Sequence, residues 1–218
     1  MRKVSLWASI ISAIAMIAVV ALVLPDTVPI HFDIYGNADM WGGKWTYVLF
    51  AMIPFCIAVS YEIYRKKVPD SPNVKTEERI VPVLPFVFII IGWLLIPAAM
   101  ADQTSIDVRL LSGVCMVLGV LMIYISNLSG KIRQNRHLGI RLPWTLDDET
   151  NWKKTHRLGG FTGTIGGIIM TAGSSIGMCN PDQAFVWCVG SILIGVILVA
   201  LVPAVYSFML YLKSRKQA

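Results

Sequence analysis

Apolar residues along the chain fall into six long, continuous runs, which short polar connections separate. Each run reaches or approaches the roughly 20 residues that a helix needs to cross a hydrocarbon core. The runs cover residues 4–24, 45–64, 80–100, 106–128, 158–178 and 183–212. This pattern predicts an all-α integral membrane protein with about six transmembrane helices.

Composition supports the membrane interpretation. Only 15% of the 218 residues are charged, against about 25% in a typical soluble domain, and the mean hydropathy is +0.65. The chain has no GxxxxGK[ST] motif to cradle phosphates, which excludes ATP use by this chain alone. The first run follows Met1-Arg2-Lys3 and is longer than a signal-peptide core of about 7–15 residues, so we expect an uncleaved first span.

Lysine and arginine predict the orientation. Of the 19 such residues, 17 lie in four segments, and only Lys44 and Arg109 lie elsewhere. The four segments are 2–3, 65–79, 131–157 and 213–216. Because basic connections stay in the cytoplasm, we expect both termini and the 131–157 loop there, and an extracellular cap at 25–44. The net charge of +6 is then a matter of topology and does not indicate nucleic acid.

The alternation divides the chain into three parts. Residues 1–64 hold the first two spans and the outer loop, 65–128 hold a basic cytoplasmic loop with spans three and four, and 129–218 hold the second basic loop with the last two spans. No Asp, Glu, Lys, Arg or His lies near the centre of any run. That absence disfavours a proton-driven pump but leaves a small transporter or a channel built on backbone carbonyls as an alternative.

The outer loop at 25–44 is rich in polar and aromatic residues. Val28, Ile30 and Phe32 alternate with polar positions, which favours a short extended segment, and Gly36-Asn37 is typical of a turn. We therefore predict a hairpin-like cap; the alternative is an ordinary connector that Trp41 and Trp45 anchor at the membrane interface. Candidate contacts for a toxin or ligand from outside are His31, Phe32, Asp33, Gly36, Asp39 and Lys44.

The cytoplasmic loop holds two of the three histidines and two of the seven tryptophans. A helix is expected to begin after Pro143, with Thr145 as N-cap and Asp148 in the capping-box position. On that helix one face carries Asp148, Trp152, Thr155 and His156. Glu149 and Lys153 form an i, i+4 pair beside it.

Three roles are open for this loop: structure, partner binding and catalysis. As structure, Arg141 would join loop carbonyls to Asp148; as a catalytic pair, Arg141 and His156 would act at the inner interface. His137 and His156 lack the i, i+4 spacing of a helical zinc pair. We expect no metal, no cofactor and no enzyme activity, a structural contact for Arg141 and a partner site at Trp152.

Several fixed spacings in this loop resemble the SdpI family of bacterial membrane proteins. The matching residues are Asn135, Gly139, Ile140, Arg141, Pro143, Trp144, Thr145, Leu146, Trp152, Thr155 and His156. The family usually has Thr where this chain has Leu142, which puts in doubt any role that needs a hydroxyl there. In the outer loop, Pro29-Ile30-His31-Phe32, Gly36, Asp39 and Lys44 resemble DUF1648, a domain of unknown function that often accompanies the SdpI signature.

The resemblance implies a membrane-embedded immunity protein of the bacterial cell membrane. Such proteins protect the producing cell from its own secreted antimicrobial peptide toxin. A second implied role is signalling, in which a cytoplasmic transcriptional repressor is recruited to the membrane. The expected partners are therefore membrane lipid, the secreted peptide and a repressor protein, without direct nucleic-acid contact.

Small residues and cysteines raise two packing questions. Gly159, Gly163 and Gly167 follow one another at i, i+4 and i+8, which lets helix backbones approach closely. They serve either packing inside the monomer or a homo-oligomer interface. Of the four cysteines, only Cys179 and Cys188 are expected near each other at one membrane face, and nothing in the sequence requires a disulfide between them.

Overall fold

The computed structural model describes residues 1–33, 36–100 and 107–216. The start of the fourth predicted span, at position 106, lies outside this part of the chain. The described elements, in chain order, are α1 (Arg2–Leu22), β1 (Thr27–Phe32), β2 (Ala38–Gly43), α2 (Val48–Lys67), α3 (Val74–Ile80), α4 (Leu84–Met100), α5 (Val108–Ser129), α6 (Pro143–Asp147), α7 (Glu149–Cys179), α8 (Ala184–Val196) and α9 (Val202–Arg215). The chain is therefore an all-α membrane protein that carries one small β-hairpin.

Five helical segments of the described chain are long and apolar enough to cross a membrane, by length and composition. They are Arg2–Leu22, Lys44–Lys67, Val74–Met100, Val108–Ser129 and Pro181–Arg215. The predicted fifth span, 158–178, is not among them, because glycine, serine and threonine lower its average hydropathy. It forms most of the 31-residue helix α7.

Helix α7 nevertheless runs beside α5 over the length of a spanning helix. Position 177 of α7 lies against Ser112 of α5, position 167 against Gly119, and position 160 against Ser126. The order of these contacts makes the two helices antiparallel. Because α7 accompanies a membrane-length helix from end to end, its residues 158–178 are long enough to be the remaining one of the six predicted spans, with glycines against neighbouring helices and with Phe161 and Ile168 exposed on another side.

The glycines of α7 explain this close approach. A Cβ at Gly163 would collide with Ser126 Oγ, and one at Gly167 would lie 2.7 Å from Gly119 O. On the opposite side, a Cβ at Gly173 would lie 2.6 Å from Ser191 Cβ. Gly159 meets side chains of the same chain, with Pro203 Cγ 3.4 Å from its Cβ position. The glycines thus serve packing inside the monomer, and these faces offer no room for a second copy.

The N-terminal half has its own core between α1, α2 and α4. Met16 and Val20 of α1, Ala51 of α2 and Ile96 of α4 are buried together. The hairpin closes this core, because Val28 of β1 is fully buried within the same cluster.

The hairpin confirms the predicted extended segment. Strands β1 and β2 pair antiparallel, with Thr27 opposite Gly43 and Phe32 opposite Ala38. Gly36, in the turn, has a φ of 85°, a conformation that favours glycine. The hydroxyl of Tyr47, at the start of the second span, donates to Pro29 O at 3.1 Å, which joins the hairpin to the bundle.

The four basic segments meet at one end of the bundle and the hairpin occupies the other. At the basic end, Arg2 Nε lies 2.7 Å from Glu62 Oε1. The last segment, Pro181–Arg215, contains 35 residues, more than a bilayer core requires, so it either protrudes from the bilayer or tilts within it. Inside it, Ile197–Leu201 form a π turn.

Each described cysteine is free. Cys179 is exposed and Cys188 is buried, and no disulfide joins these two cysteines. Cys188 Sγ instead lies 3.5 Å from Ser112 Oγ of α5.

Candidate functional site

The loop at 131–157, hereafter the motif loop, begins with a turn that Asn135 organises. Its side-chain oxygen accepts hydrogen bonds from the backbone N–H groups of His137 and Leu138, both at 2.7 Å. Its side-chain nitrogen donates to Arg133 O at 2.7 Å and to Leu138 O at 3.1 Å. Asn side chains stabilise turns in this way. The matching residue Asn135 therefore shapes the loop backbone.

His156 closes the loop onto α7. Its Nε2 accepts a hydrogen bond from the backbone N–H of Ile140 at 2.9 Å, and its Nδ1 lies 2.9 Å from Trp152 O. A carbonyl oxygen only accepts, so Nδ1 carries the proton and the ring is neutral. His156 is 1% exposed, and this burial lowers the pKa of His156 below its usual 6.5, while the hydrogen bond to Trp152 acts in the opposite direction.

Gly139 makes room for this closure. It has a φ of +114°, which side chains rarely tolerate. A Cβ at this position would collide with His156 Nε2 and lie 3.1 Å from the Trp152 ring. Only glycine therefore fits between the loop backbone and the two rings.

Trp152 packs beneath the motif loop. It is 1% exposed, its ring stacks on His156 with centroids 4.1 Å apart, and its Nε1 donates to Ile132 O at 2.8 Å. Of the predicted face, Trp152, Thr155 and His156 are buried together, whereas Asp148 is the N-cap of α7 and is not among its buried residues. The expectation of a partner site at Trp152 is wrong for the closed loop, because no partner can reach a side chain buried to this extent.

The helix start differs from the prediction. Leu142, not Thr145, is the N-cap of the short helix α6, and Asp148 is the N-cap of α7, where it accepts from Thr150 N and Asn151 N. Thr145 Oγ1 accepts from Leu142 N at 2.9 Å. Position 142, where the resemblance leads one to expect Thr, is thus an N-cap whose leucine side chain has no oxygen to accept a hydrogen bond. The hydroxyl at this helix start comes instead from Thr145, inside the helix.

Two residues that sequence reasoning missed attach the loop to α9. Asn151 donates to Ser207 O at 2.9 Å and accepts from Thr155 Oγ1 at 2.9 Å. Ser207 Oγ accepts from Trp144 Nε1 at 2.8 Å. Trp144 also packs on the rings of Phe208 and Tyr211. A polar residue on the apolar side of α9 was the only signal in the sequence for Ser207.

Arg141 lies outside this network. Its side chain donates to Arg136 O at 2.9 Å and the residue is exposed. No ion pair joins Arg141 to Asp148 in the described chain, so the predicted tie to that carboxylate is wrong and only the loop-carbonyl part of the expectation is confirmed. The predicted Glu149–Lys153 pair is present at 2.8 Å.

Asn73, which sequence reasoning also missed, joins the two basic loops. Its side chain donates to Arg133 O at 2.9 Å and accepts from Arg133 N at 2.7 Å. Nearby, the ring of Tyr64 meets that of His137 with centroids 5.6 Å apart. Asn73 is 2% exposed, so this contact is a buried junction between the N-terminal half and the motif loop.

The hairpin places its candidate residues differently. His31 Nδ1 lies 2.6 Å from Asp39 Oδ1 across the strands, and their side chains are 62% and 47% exposed. Lys44, in contrast, is held inward, with Nζ 3.0 Å from Asp26 Oδ1 and 3.4 Å from Leu24 O. It therefore fastens the hairpin to the end of α1.

The turn of the hairpin faces the helices. Asp33 accepts from Asn37 N at 2.8 Å and from Asn37 Nδ2 at 3.1 Å. Phe32, Asp33 and Gly36 border a pocket of about 260 Å³ whose other walls come from three helices. These walls include Leu95 of α4, Val108 of α5 and Phe185 of α8. The hairpin thus overhangs an apolar pocket shared by both halves of the molecule.

Metal binding and catalysis find little support in the motif loop and the hairpin. Within the described ranges, no group of three or more His, Cys, Asp and Glu residues could hold a metal ion. Both nitrogens of His156 are already hydrogen-bonded, and Arg141 points to a loop carbonyl rather than to His156. The two candidates for an inner-face enzyme are therefore not arranged as a reactive pair.

Apolar helices, close glycine packing and a polar loop folded back on the bundle define a multi-pass helical membrane protein. Residues 131–207 match the model of the SdpI/YfhL protein family, and residues 8–55 match that of a domain of unknown function, DUF1648. The resemblance read from the motif residues is confirmed, and residues 131–207 are similar to the SdpI/YfhL family. Comparison with curated proteins gave no match, and neither did comparison with solved structures.

Proposed function

We propose that this protein is a membrane-embedded immunity protein that protects its cell from a secreted antimicrobial peptide. The observation that carries the proposal is the SdpI/YfhL match over 131–207, a segment whose motif residues bond to one another and not around a reactive centre. Such a segment suits recognition and transmission better than turnover. Transport and catalysis gain no specific support from the described contacts.

The test is protection of a sensitive host. Expressing the protein in a toxin-sensitive strain should allow growth in culture supernatant from a producing strain, and protease treatment of that supernatant should remove the difference between expressing and empty cells. Normal protein levels in the membrane without any gain in growth would contradict the proposal.

The proposed orientation places the hairpin outside and both termini in the cytoplasm. It rests on the meeting of all four basic segments at one end of the bundle, since such segments stay in the cytoplasm. Without native cysteines, Asn37→Cys should react with an impermeant thiol reagent on whole cells, while Glu149→Cys should react only after lysis. Glu149 suits this test because its side chain is 65% exposed, whereas Asp148 is a helix cap. The opposite labelling would reverse the orientation.

In this orientation the hairpin is the first surface that an arriving peptide meets. The exposed His31–Asp39 pair and the apolar pocket under Phe32 together offer polar and apolar contacts to an amphipathic peptide. His31→Ala should weaken protection without lowering the protein level, because exposed ion pairs contribute at most about 1 kcal/mol to stability. Lys153→Ala is the matched control, since it breaks an exposed pair at the other end and should leave protection intact.

The proposed signalling partner, a cytoplasmic repressor, would meet the exposed cations of the motif loop. Arg141 is exposed there, and Lys153 has a side chain that is 71% exposed. Arginine is frequent among residues that dominate protein interfaces. A reporter gene under the repressor should lose its response to toxin in Arg141→Ala while protection persists; equal loss of both outputs at normal protein level would point to one shared structural role.

A further inference from the structure

A pocket of about 600 Å³ opens at the basic end of the bundle, between the start of α1 and the side of α3. Four cationic side chains line it, and Glu78 is its only acid among the described lining residues. The cations are Arg2, Lys3, Lys75 and Arg79. The pocket is separate from the motif loop and from the hairpin, and neither family match covers α3.

Most of the cations in this pocket are not neutralised. Arg2 pairs with Glu62 at 2.7 Å, but among the described residues Lys3, Lys75 and Arg79 make no ion pair with any acid. At the opposite end, by contrast, Lys44 pairs with Asp26 at 3.0 Å. Uncompensated like charges around one concavity repel one another, so a bound anion would stabilise this end of the molecule.

The wall that carries these cations is fixed by contacts with other helices. The carbonyl of Arg79 accepts a hydrogen bond from Tyr124 Oη of α5 at 2.9 Å. At the other end of α3, Asn73 is bound to the backbone of Arg133. The cations of α3 are therefore held in place over the start of α1.

An exposed apolar stripe leads away from the pocket along α1. It consists of Val4, Trp7, Ile11 and Ile14, which are 63%, 62%, 65% and 65% exposed. Their spacing of three and four residues places them on one face of the helix, over about 15 Å of its length. Val4 also lines the pocket itself. A cationic pocket that continues into a lipid-facing stripe fits a molecule with an anionic head and apolar chains.

We propose that this pocket binds the headgroup of an anionic phospholipid, whose acyl chains lie along the exposed stripe of α1. Basic pockets at the ends of membrane helices attract phosphate headgroups, and each nearby Lys or Arg strengthens binding about fivefold. The bound lipid would link α1 to α3 where their own charges repel. This inference is independent of the proposed immunity function.

The test uses the full chain, purified in a neutral detergent, with phosphatidylglycerol and phosphatidylcholine as the two probes. Native mass spectrometry should show preferential binding of phosphatidylglycerol. Lys75→Gln combined with Arg79→Gln should lower that affinity about tenfold or more. Lys66→Gln with Lys67→Gln is the matched control, because both lysines are exposed at the same end and lie outside the pocket.

Three results would overturn the proposal. The first is equal binding of the two lipids, and the second is an equal loss of phosphatidylglycerol binding in the control variant. The third is displacement of the lipid by inorganic phosphate at the same concentration, which would make this a site for the free anion. Thermal unfolding in phosphatidylcholine should give the same transition for wild type and variants. If the double variant does not fold, Lys3→Gln alone should still lower phosphatidylglycerol binding, and unchanged binding in that variant would also contradict the proposal.

Discussion

The hairpin and the motif loop both carry family-specific residues, but they use them in opposite ways. In the hairpin, the side chains of His31 and Asp39 are exposed and lie 2.6 Å apart across the strands. In the motif loop, His156 and Trp152 are each 1% exposed and Thr145 is fully buried. The motif residues of the loop thus maintain its shape, whereas those of the hairpin strands present a surface.

This difference determines whether a substitution affects folding or recognition first. Buried polar groups must find partners inside the protein, and in the motif loop they do so with backbone groups of the loop itself and of α9. Substitutions there will therefore change folding before they change recognition. Substitutions of the exposed hairpin pair will do the reverse, so protein level and resistance must be measured together.

The largest expected effect is that of Trp152→Ala. Removing a buried tryptophan costs about 3–5 kcal/mol, and this change also frees Ile132 O and exposes one face of His156. We expect little folded protein in the membrane, with Trp152→Phe intermediate because it keeps the stacked ring. Trp41→Ala in the hairpin is the matched control, since Trp41 is 46% exposed and should tolerate the change. Similar losses at the two tryptophans would remove the contrast between the regions.

Gly139→Ala should have the next largest effect. The positive φ costs about 1–3 kcal/mol for a residue with a side chain, and the added methyl group collides with His156. The thermal unfolding temperature of the purified protein should fall clearly. Gly43→Ala is the control in the hairpin, because its φ is −69° and no heavy atom lies within 4 Å of the added Cβ. An unchanged transition in Gly139→Ala would mean that the loop does not close as described.

A smaller effect should follow from pH. Burial lowers the pKa of His156, so below about pH 6.5 the unfolded chain binds a proton that the folded loop excludes. Stability should therefore fall as the pH drops from 7 towards 5, by at most about 1.4 kcal/mol per pH unit. His156→Gln should flatten this dependence, whereas His137→Gln should keep it. Identical slopes in both variants would assign the effect to other groups.

The smallest effect is expected for Arg141→Lys. The guanidinium makes one described hydrogen bond, to a loop carbonyl, at an exposed position where changes usually stay within about 0.5 kcal/mol. Protein level and unfolding temperature should match the wild type. If the protein level is normal but signalling is lost, Arg141 is a contact residue for the signalling partner. If the protein level falls, Arg141 has a structural role that its exposed position does not explain.

Much of the architecture could be predicted from the sequence. Continuous apolar runs predicted the long helices, and the distribution of Lys and Arg predicted which connections lie at the same end of the bundle. Alternation from Val28 to Phe32 predicted the hairpin. The crossing helix α7 was harder, because glycines such as Gly163 lower its hydropathy while they improve its packing. Length and composition alone therefore count one span fewer than the contacts support.

The site was only partly predictable. Spacing placed Trp152, Thr155 and His156 on one face, but it could not show which way that face turns. Asn73 and Ser207 stand 60 and 56 residues from Arg133 and Asn151, the residues they contact, so no local pattern announces them. The partner site expected at Trp152 and the tie expected from Arg141 to Asp148 were wrong for the same reason, because burial and side-chain direction depend on packing that local spacing does not show.

The π turn at Ile197–Leu201 limits how this chain can change in length. A π turn holds one more residue than an α-helical turn, so deleting a single residue there would restore a regular helix and leave α9 close to its present rotation. Pro203 therefore stays against Gly159, and Ser207 stays within reach of Trp144 and Asn151. A deletion in the regular helix after the π turn would instead rotate everything that follows by about 100° and separate Ser207 from both partners.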